Sequence, residues 1–149
     1  MPSSYTSLTY HIVFSTKYRR PLLVSEMRGR LYEYMGGIVR REYGTLLEIG
    51  GVEDHVHLLT RIHPSTAVAD FLRVLKSNSS GWVNEQSLTP NRFAWQEGYS
   101  AFTVSESQTG AVRRYIQRQE AHHAKQDFRA EIERLCEHHG LTLDAEHFA

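Results

Sequence analysis

Cysteine is almost absent from this chain of 149 residues: Cys136 stands alone. A lone thiol excludes an intrachain disulfide and leaves no CxxC or zinc-knuckle spacing for a sulfur-rich site. Net charge is missing as well, with seventeen basic against seventeen acidic residues, which argues against indiscriminate coating of nucleic acid. No window approaches the roughly 18 apolar residues of a membrane span, and "MPSSYTSLTYHIVF" lacks the basic start and apolar core of a secretory signal. A soluble, unexported protein of the reducing cytoplasm fits these absences. The length suits one domain over residues 1–149, with a core that needs no disulfide or metal staple.

The charge that is present is unevenly placed. Residues 127–149 hold six acids (Asp127, Glu131, Glu133, Glu137, Asp144, Glu146) against Arg129 and Arg134, so an acidic tail of −4 follows a body of +4. Fourteen of the seventeen basic residues are arginine, the side chain suited to bidentate phosphate contact. A basic face on the body is one expectation, ordinary arginine-rich surface the other.

Periodicity organises the rest. "SLTYHIVFST" alternates with period two, placing Tyr10, Ile12 and Phe14 on one face and His11, Val13 and Ser15 on the other. Ser25 is a fair N-cap for a helix to about Tyr43, with Leu31, Tyr34, Met35 and Ile38 at helical spacing. "TLLEIGGVED" and "HVHLLTRI" read as two further strands, broken near Gly50 and Gly51 or Glu53 and Asp54. A second helix enters through Pro64 and Ser65 or Thr66 and carries Val68, Phe71, Leu72 and Leu75. "RFAWQEGYSAFTVS" reads as a fourth strand bent at Gly98, and the stretch from "QTGAV" to Gly140 as one long helix or two joined ones. The order β-α-β-β-α-β predicts an α+β, ferredoxin-like antiparallel sheet with helices on one face, followed by a C-terminal helix. The other sheet face is expected to be open, with His11, His55 and His57 on it.

His55 and His57 lie two residues apart on a strand, hence on one face at roughly 6.6 Å between Cα atoms. Imidazoles so placed can share a divalent ion, though two leave the site incomplete and most H-x-H pairs on strands are simply solvated. Tyr115 and Gln119 are four apart on a helix and so address one site together. A phenol can attack phosphorus, and an amide carbonyl can complete a two-histidine metal site. For one tyrosine of eight, an ordinary exposed helix residue is the competing reading.

In this order, "HIVFSTKYRRPLL", "HVHLL", "LKSNSSGWV", "FAWQEGYSAF" and "RRYIQRQEAHH" resemble the single-tyrosine transposases of the HUH superfamily, the small enzymes of bacterial insertion sequences. "FAWQEGYSAF" looks most like their REP-associated subgroup. The resemblance runs from about residue 5 to 125 and implies His55, His57 and Gln119 as metal ligands and Tyr115 as nucleophile. It implies Mg2+ or Mn2+, cleavage of single-stranded DNA at hairpin ends to a 5′-phosphotyrosine and a free 3′-hydroxyl, and transfer to a new 3′-hydroxyl. The phosphodiester energy stays in the tyrosine bond, in keeping with the lack of a GxxxxGK[ST] phosphate loop. It also implies a homodimer, with the tyrosine helix docking in cis or in trans and Gly110 as a hinge. The protein would then be cytoplasmic and, on DNA, nucleoid-associated. Ser100 stands where close relatives are expected to have glycine.

Lys17, Arg19, Arg20 and Lys76 are candidate phosphate contacts, each also readable as ordinary solvated charge. His11 shares the expected open face. Trp95 is a candidate base-stacking residue beside Tyr99, whereas Phe102 reads as core. His122 and His123 read as helix surface, and the tail after residue 126 is given no catalytic part. The competing function is a catalytically inactive or host-repurposed nucleic-acid-binding protein of the same fold. Intact His55, His57, Tyr115 and Gln119 favour the enzyme.

Overall fold

The computed structural model describes residues 3–123 and 126–143; the acids Asp144 and Glu146 of the tail lie outside the described residues. Strands β1 (Thr9–Ser15), β2 (Gly44–Gly51), β3 (His55–Ile62) and β4 (Ser100–Thr103) form one antiparallel sheet in the order β2-β3-β1-β4. Helices α1 (Ser25–Ile38) and α2 (Val68–Glu85) complete the ferredoxin-like α+β arrangement. Helices α3 (Thr109–Gln117), α4 (Gln119–His123) and α5 (Phe128–His138) follow.

The period-two pattern of β1 and β3 sorts their side chains. Ile12, Phe14, Val56, Leu58 and Ile62 pack with Met27, Leu31 and Met35 of α1 and Phe71, Leu72 and Leu75 of α2 in the main core. Burial of apolar side chains at roughly 1.5–3 kcal/mol each makes this face the principal source of stability. Trp95 belongs here. Its indole Nε1 donates to Ser79 Oγ (2.9 Å), and its ring stands edge-on to Phe14 and Phe93, so it is buried and cannot stack a DNA base.

The second sheet face is not open, contrary to expectation. Val13 and Phe102 pack with Phe128, Ile132 and Cys136 of α5, and Leu59 packs with Val104 and Ile116 of α3. The C-terminal helices carry enough apolar surface to cover the sheet, so β1 and β3 are buried on both sides. Close approach of α3 depends on Gly50: a Cβ there would stand 2.7 Å from the Ile116 carbonyl oxygen.

Element ends differ from the periodicity. Ser25 is the first helical residue and not the cap, and α1 passes into a π-helical turn at Val39–Tyr43. Helix α2 begins at Val68. The fourth strand shrinks to four residues, with Trp95 contributing an isolated bridge to Thr16. Among the described residues the C-terminal stretch holds three helices, the first ending at Arg118 (φ −103°, ψ 21°). Gly110 lies inside the first turn of α3, not in a loop.

Candidate metal and tyrosine site

β3 aims His55 and His57 at the face covered by α3, α4 and α5, and both imidazoles are fully buried. Each has an outer partner on Nδ1. Asp54 Oδ1 lies 2.7 Å from His55 Nδ1, and His11 Nε2 lies 2.8 Å from His57 Nδ1. Such partners fix ring orientation and leave Nε2 as the inward nitrogen. Burial opposes charge on His55, but the hydrogen bonds to Asp54 and Glu131 outweigh it and raise its pKa to about 9. Burial depresses His57 to about 4 and His11, which also feels His57, to about 3.

The break at Arg118 still leaves Gln119 beside Tyr115. Gln119 Oε1 lies 3.3 Å from His55 Nε2, and the Tyr115 ring stands edge-on to His57 at 5.7 Å between centroids. The four residues singled out by spacing therefore meet in one place, and Tyr115 meets histidines of its own chain. Two imidazole nitrogens and an amide oxygen form a donor set that fits a divalent ion.

Glu131 occupies the middle of this site, although its sequence position in the acidic tail gives it no evident part there. Its Oε1 lies 3.1 Å from Nε2 of both His55 and His57 and 2.8 Å from Nε2 of His123. Its Oε2 accepts from Gln119 Nε2 (3.2 Å) and from the Tyr115 hydroxyl. Burial works against the carboxylate, but three histidine partners hold its pKa far below the ordinary range. Burial, then the Glu131 charge and hydrogen bond, raise the Tyr115 pKa. His123 is thus a member of the cluster and not plain helix surface, while His122 Nε2 is 3.4 Å from the Tyr115 hydroxyl.

Both additions had a signal in the sequence. His123 continues the i, i+4 series of Tyr115 and Gln119. Glu131 interrupts the apolar stripe of α5 formed by Phe128, Ile132 and Cys136, and an acid on a buried stripe must find partners.

The basic turn flanks the site. Ser15 pairs with His55, and Thr16 N donates to the Asp54 carbonyl (2.9 Å). Lys17, Arg19 and Arg20 follow at once and are exposed. Tyr18 projects between them, 61% exposed, and with Arg19 adopts left-handed backbone angles (φ 59° and 54°). Lys76 lies elsewhere: Nζ donates to the Glu97 and Gly98 carbonyls (3.0 and 2.8 Å), tying that turn to α2. His11 is buried behind His57 and is not available to DNA. Among the described residues no helix is long and apolar enough to cross a membrane.

Comparison with known proteins places this geometry in context. The family model described as "Transposase IS200 like" matches residues 4–119. The chain is 30% identical over 117 residues to the ISDra2 transposase TnpA of Deinococcus radiodurans, covering 75% of this chain and 84% of that one. It is 33% identical over 115 residues to the transposase for insertion sequence element IS200 of Salmonella typhimurium, covering 74% and 75%. A crystal structure of a Deinococcus radiodurans R1 protein described as a transposase shares the fold at TM-score 0.64 and 27% identity, over 80% of this chain and 95% of that one. A REP-associated tyrosine transposase bound to a REP hairpin shares it at TM-score 0.62 and 13% identity, over 83% and 73%.

Proposed function

The chain belongs to the IS200-like transposase family, and on that premise we propose that it cleaves and rejoins single-stranded DNA through a 5′-phosphotyrosine intermediate. The observation that carries the proposal is the meeting of Gln119 Oε1 with His55 Nε2 and of the Tyr115 ring with His57 in one place. His55, His57 and Gln119 would hold Mg2+ or Mn2+. When bound, the ion polarises the scissile phosphate and offsets the charge that builds on its oxygens.

Tyr115 attacks phosphorus through its phenolic oxygen. A new O–P bond forms, the bond to the 3′ oxygen breaks, and that oxygen leaves as a 3′-hydroxyl once protonated. His122 Nε2 lies 3.4 Å from the phenolic oxygen and burial lowers its pKa; once Arg134 and Glu131 of α5, which now hold that nitrogen and the phenol, have moved away, it would take the phenolic proton. Rejoining reverses the step: an incoming 3′-hydroxyl displaces Tyr115. Burial of His55, His57 and Gln119 requires α5 to move before a phosphate reaches them. Lys17, Arg19 and Arg20, beside the His55 end of β3, then hold backbone phosphates. The REP hairpin on the structural neighbour supports hairpin ends as the substrate, and a homodimer remains part of the proposal.

The test is a labelled single-stranded oligonucleotide carrying the hairpin ends of the gene's own flanks. With Mn2+ the wild type forms a covalent adduct that survives denaturation, and Tyr115→Phe does not. An adduct from Tyr115→Phe would remove the nucleophile assignment. One observation favours the alternative of a binding protein without catalysis: the Glu131 carboxylate lies between the Nε2 atoms of His55 and His57 and the Tyr115 hydroxyl, among the groups that would meet the ion and the phosphate. Hairpin binding without any adduct in Mn2+ would decide for it.

A further inference from the structure

The four groups around Glu131 make a second donor set that differs from the one assigned to catalysis. His55, His57, His123 and Glu131 each offer one ligand atom, and all four lie within 4.8 Å of one another. Glu131 Oε1 is 3.1, 3.1 and 2.8 Å from the three Nε2 atoms. A tetrahedral zinc ion with bonds of about 2.0–2.1 Å spaces its donors roughly 3.3 Å apart. The three Glu131 separations come within about half an ångström of that spacing, and the imidazole nitrogens, no more than 4.8 Å from one another, close the rest by turning towards the ion.

We propose that His55, His57, His123 and Glu131 form a closed Zn2+ site that locks α5 over the tyrosine. Three imidazoles and a carboxylate suit a borderline-soft ion, and four protein donors leave no open position, the mark of a structural and not a catalytic site. The site is also dry enough for this: His55, His57 and Glu131 are fully buried. Asp54 and His11, on the Nδ1 atoms of His55 and His57, present both Nε2 atoms inward.

The two donor sets share His55 and His57 and exclude each other. With Gln119 as third ligand, α5 is free to leave and oxygen-preferring Mn2+ or Mg2+ retains places for water and phosphate. With His123 and Glu131 as ligands, residues on both sides of 124–127 are clamped to β3, and Glu131 stays beside Tyr115. Zn2+ is then an inhibitor that acts by holding the cover down. What is inhibited rests on the transposase reading, whereas the zinc site stands on its own donors.

Zinc affinity of the full chain, measured by competition with a chromophoric chelator, tests the site directly. The wild type binds one Zn2+, His123→Ala and Glu131→Ala each weaken it at least about tenfold, and Gln119→Ala, which removes a neighbour of Glu131 and not a ligand, weakens it less than either. Hydrogen exchange of residues 128–138 slows with Zn2+ and not with Mn2+. His123→Gln, at a partly exposed position, serves if Glu131→Ala does not fold. Wild-type zinc affinity in His123→Ala and His123→Gln overturns the proposal, even where the Mn2+-dependent adduct forms. Loss of zinc binding in these variants with no adduct from any form of the protein sustains the site and overturns only the transposase reading.

Discussion

The Tyr115 hydroxyl donates a hydrogen bond to the Glu131 carboxylate, so the proposed nucleophile is held by a residue of the helix that covers it. The contact also keeps the phenol protonated, since burial and the nearby negative charge both raise its pKa. Glu131→Gln removes the charge and keeps the shape. Its expected effects run in opposite directions. Folding stability falls by about 3–5 kcal/mol, the cost of breaking a buried ion cluster by one member, and the rate of Mn2+-dependent adduct formation rises. Thermal melting and a single-turnover adduct assay on one preparation check both. A slower adduct would instead make Glu131 part of the chemistry.

His11 should behave as a positioning residue and not as a DNA contact. It is buried, stacks on His57 at 5.0 Å between centroids, and supplies the partner of His57 Nδ1. His11→Phe keeps the ring and its packing but leaves that nitrogen unpartnered. Mn2+ affinity is expected to drop about tenfold or more, with hairpin affinity measured without metal unchanged. Titration calorimetry with Mn2+ and a filter-binding assay separate the two.

How far the sequence reached follows from which interactions are local. Period two in "HIVFS" and "HVHLL" assigns faces because strand geometry is local, and the i, i+4 pair Tyr115 and Gln119 survives the break at Arg118 because one turn on either side is enough. The cover over the second sheet face is not legible because cover is a tertiary matter: nothing near β1 or β3 announces that Phe128, Ile132 and Cys136 will fold back on Val13 and Phe102. The same docking brings in Glu131. The acid in an apolar stripe is visible, but its destination is not. Trp95 shows the converse, an aromatic residue with the look of a stacking candidate that instead closes the core against Ser79 and Phe14.

Tyr18 sits at the exposed edge beside His55, flanked by Lys17 and Arg20 at 5.6 and 5.4 Å from its ring. Left-handed backbone angles at a bulky residue are strained and concentrate at functional sites. A base stacked on the ring contributes about 1–3 kcal/mol, so Tyr18→Ala should weaken single-strand affinity by roughly five- to 150-fold, the equivalent of that energy. Arg19→Ala with Arg20→Ala should instead flatten the salt dependence, by about 0.7 in the log–log slope for each phosphate that is no longer neutralised. Trp95→Ala serves as the contrast: it should cost about 3–5 kcal/mol of stability as a core truncation and leave the affinity of the folded fraction unchanged.

Lys76 gives a pH-dependent signature on the opposite side of the molecule. Burial lowers its pKa from 10.5 to about 8, with Glu97 opposing the shift. Below about pH 8 the folded and unfolded chains both carry the charge, and the folded one bears its partial desolvation. Between about 8 and 10.5 the folded chain has lost the proton while the unfolded chain keeps it, so the unfolded state binds more protons and stability rises with pH. Lys76→Met removes this rise. Urea midpoints of the two proteins at about pH 7 and about pH 10 should therefore diverge in slope, the wild type gaining relative to the variant as pH increases. Equal pH dependence would mean that the bonds to the Glu97 and Gly98 carbonyls hold the ammonium form as well as water does, and the turn at Gly98 would then be anchored by a full charge.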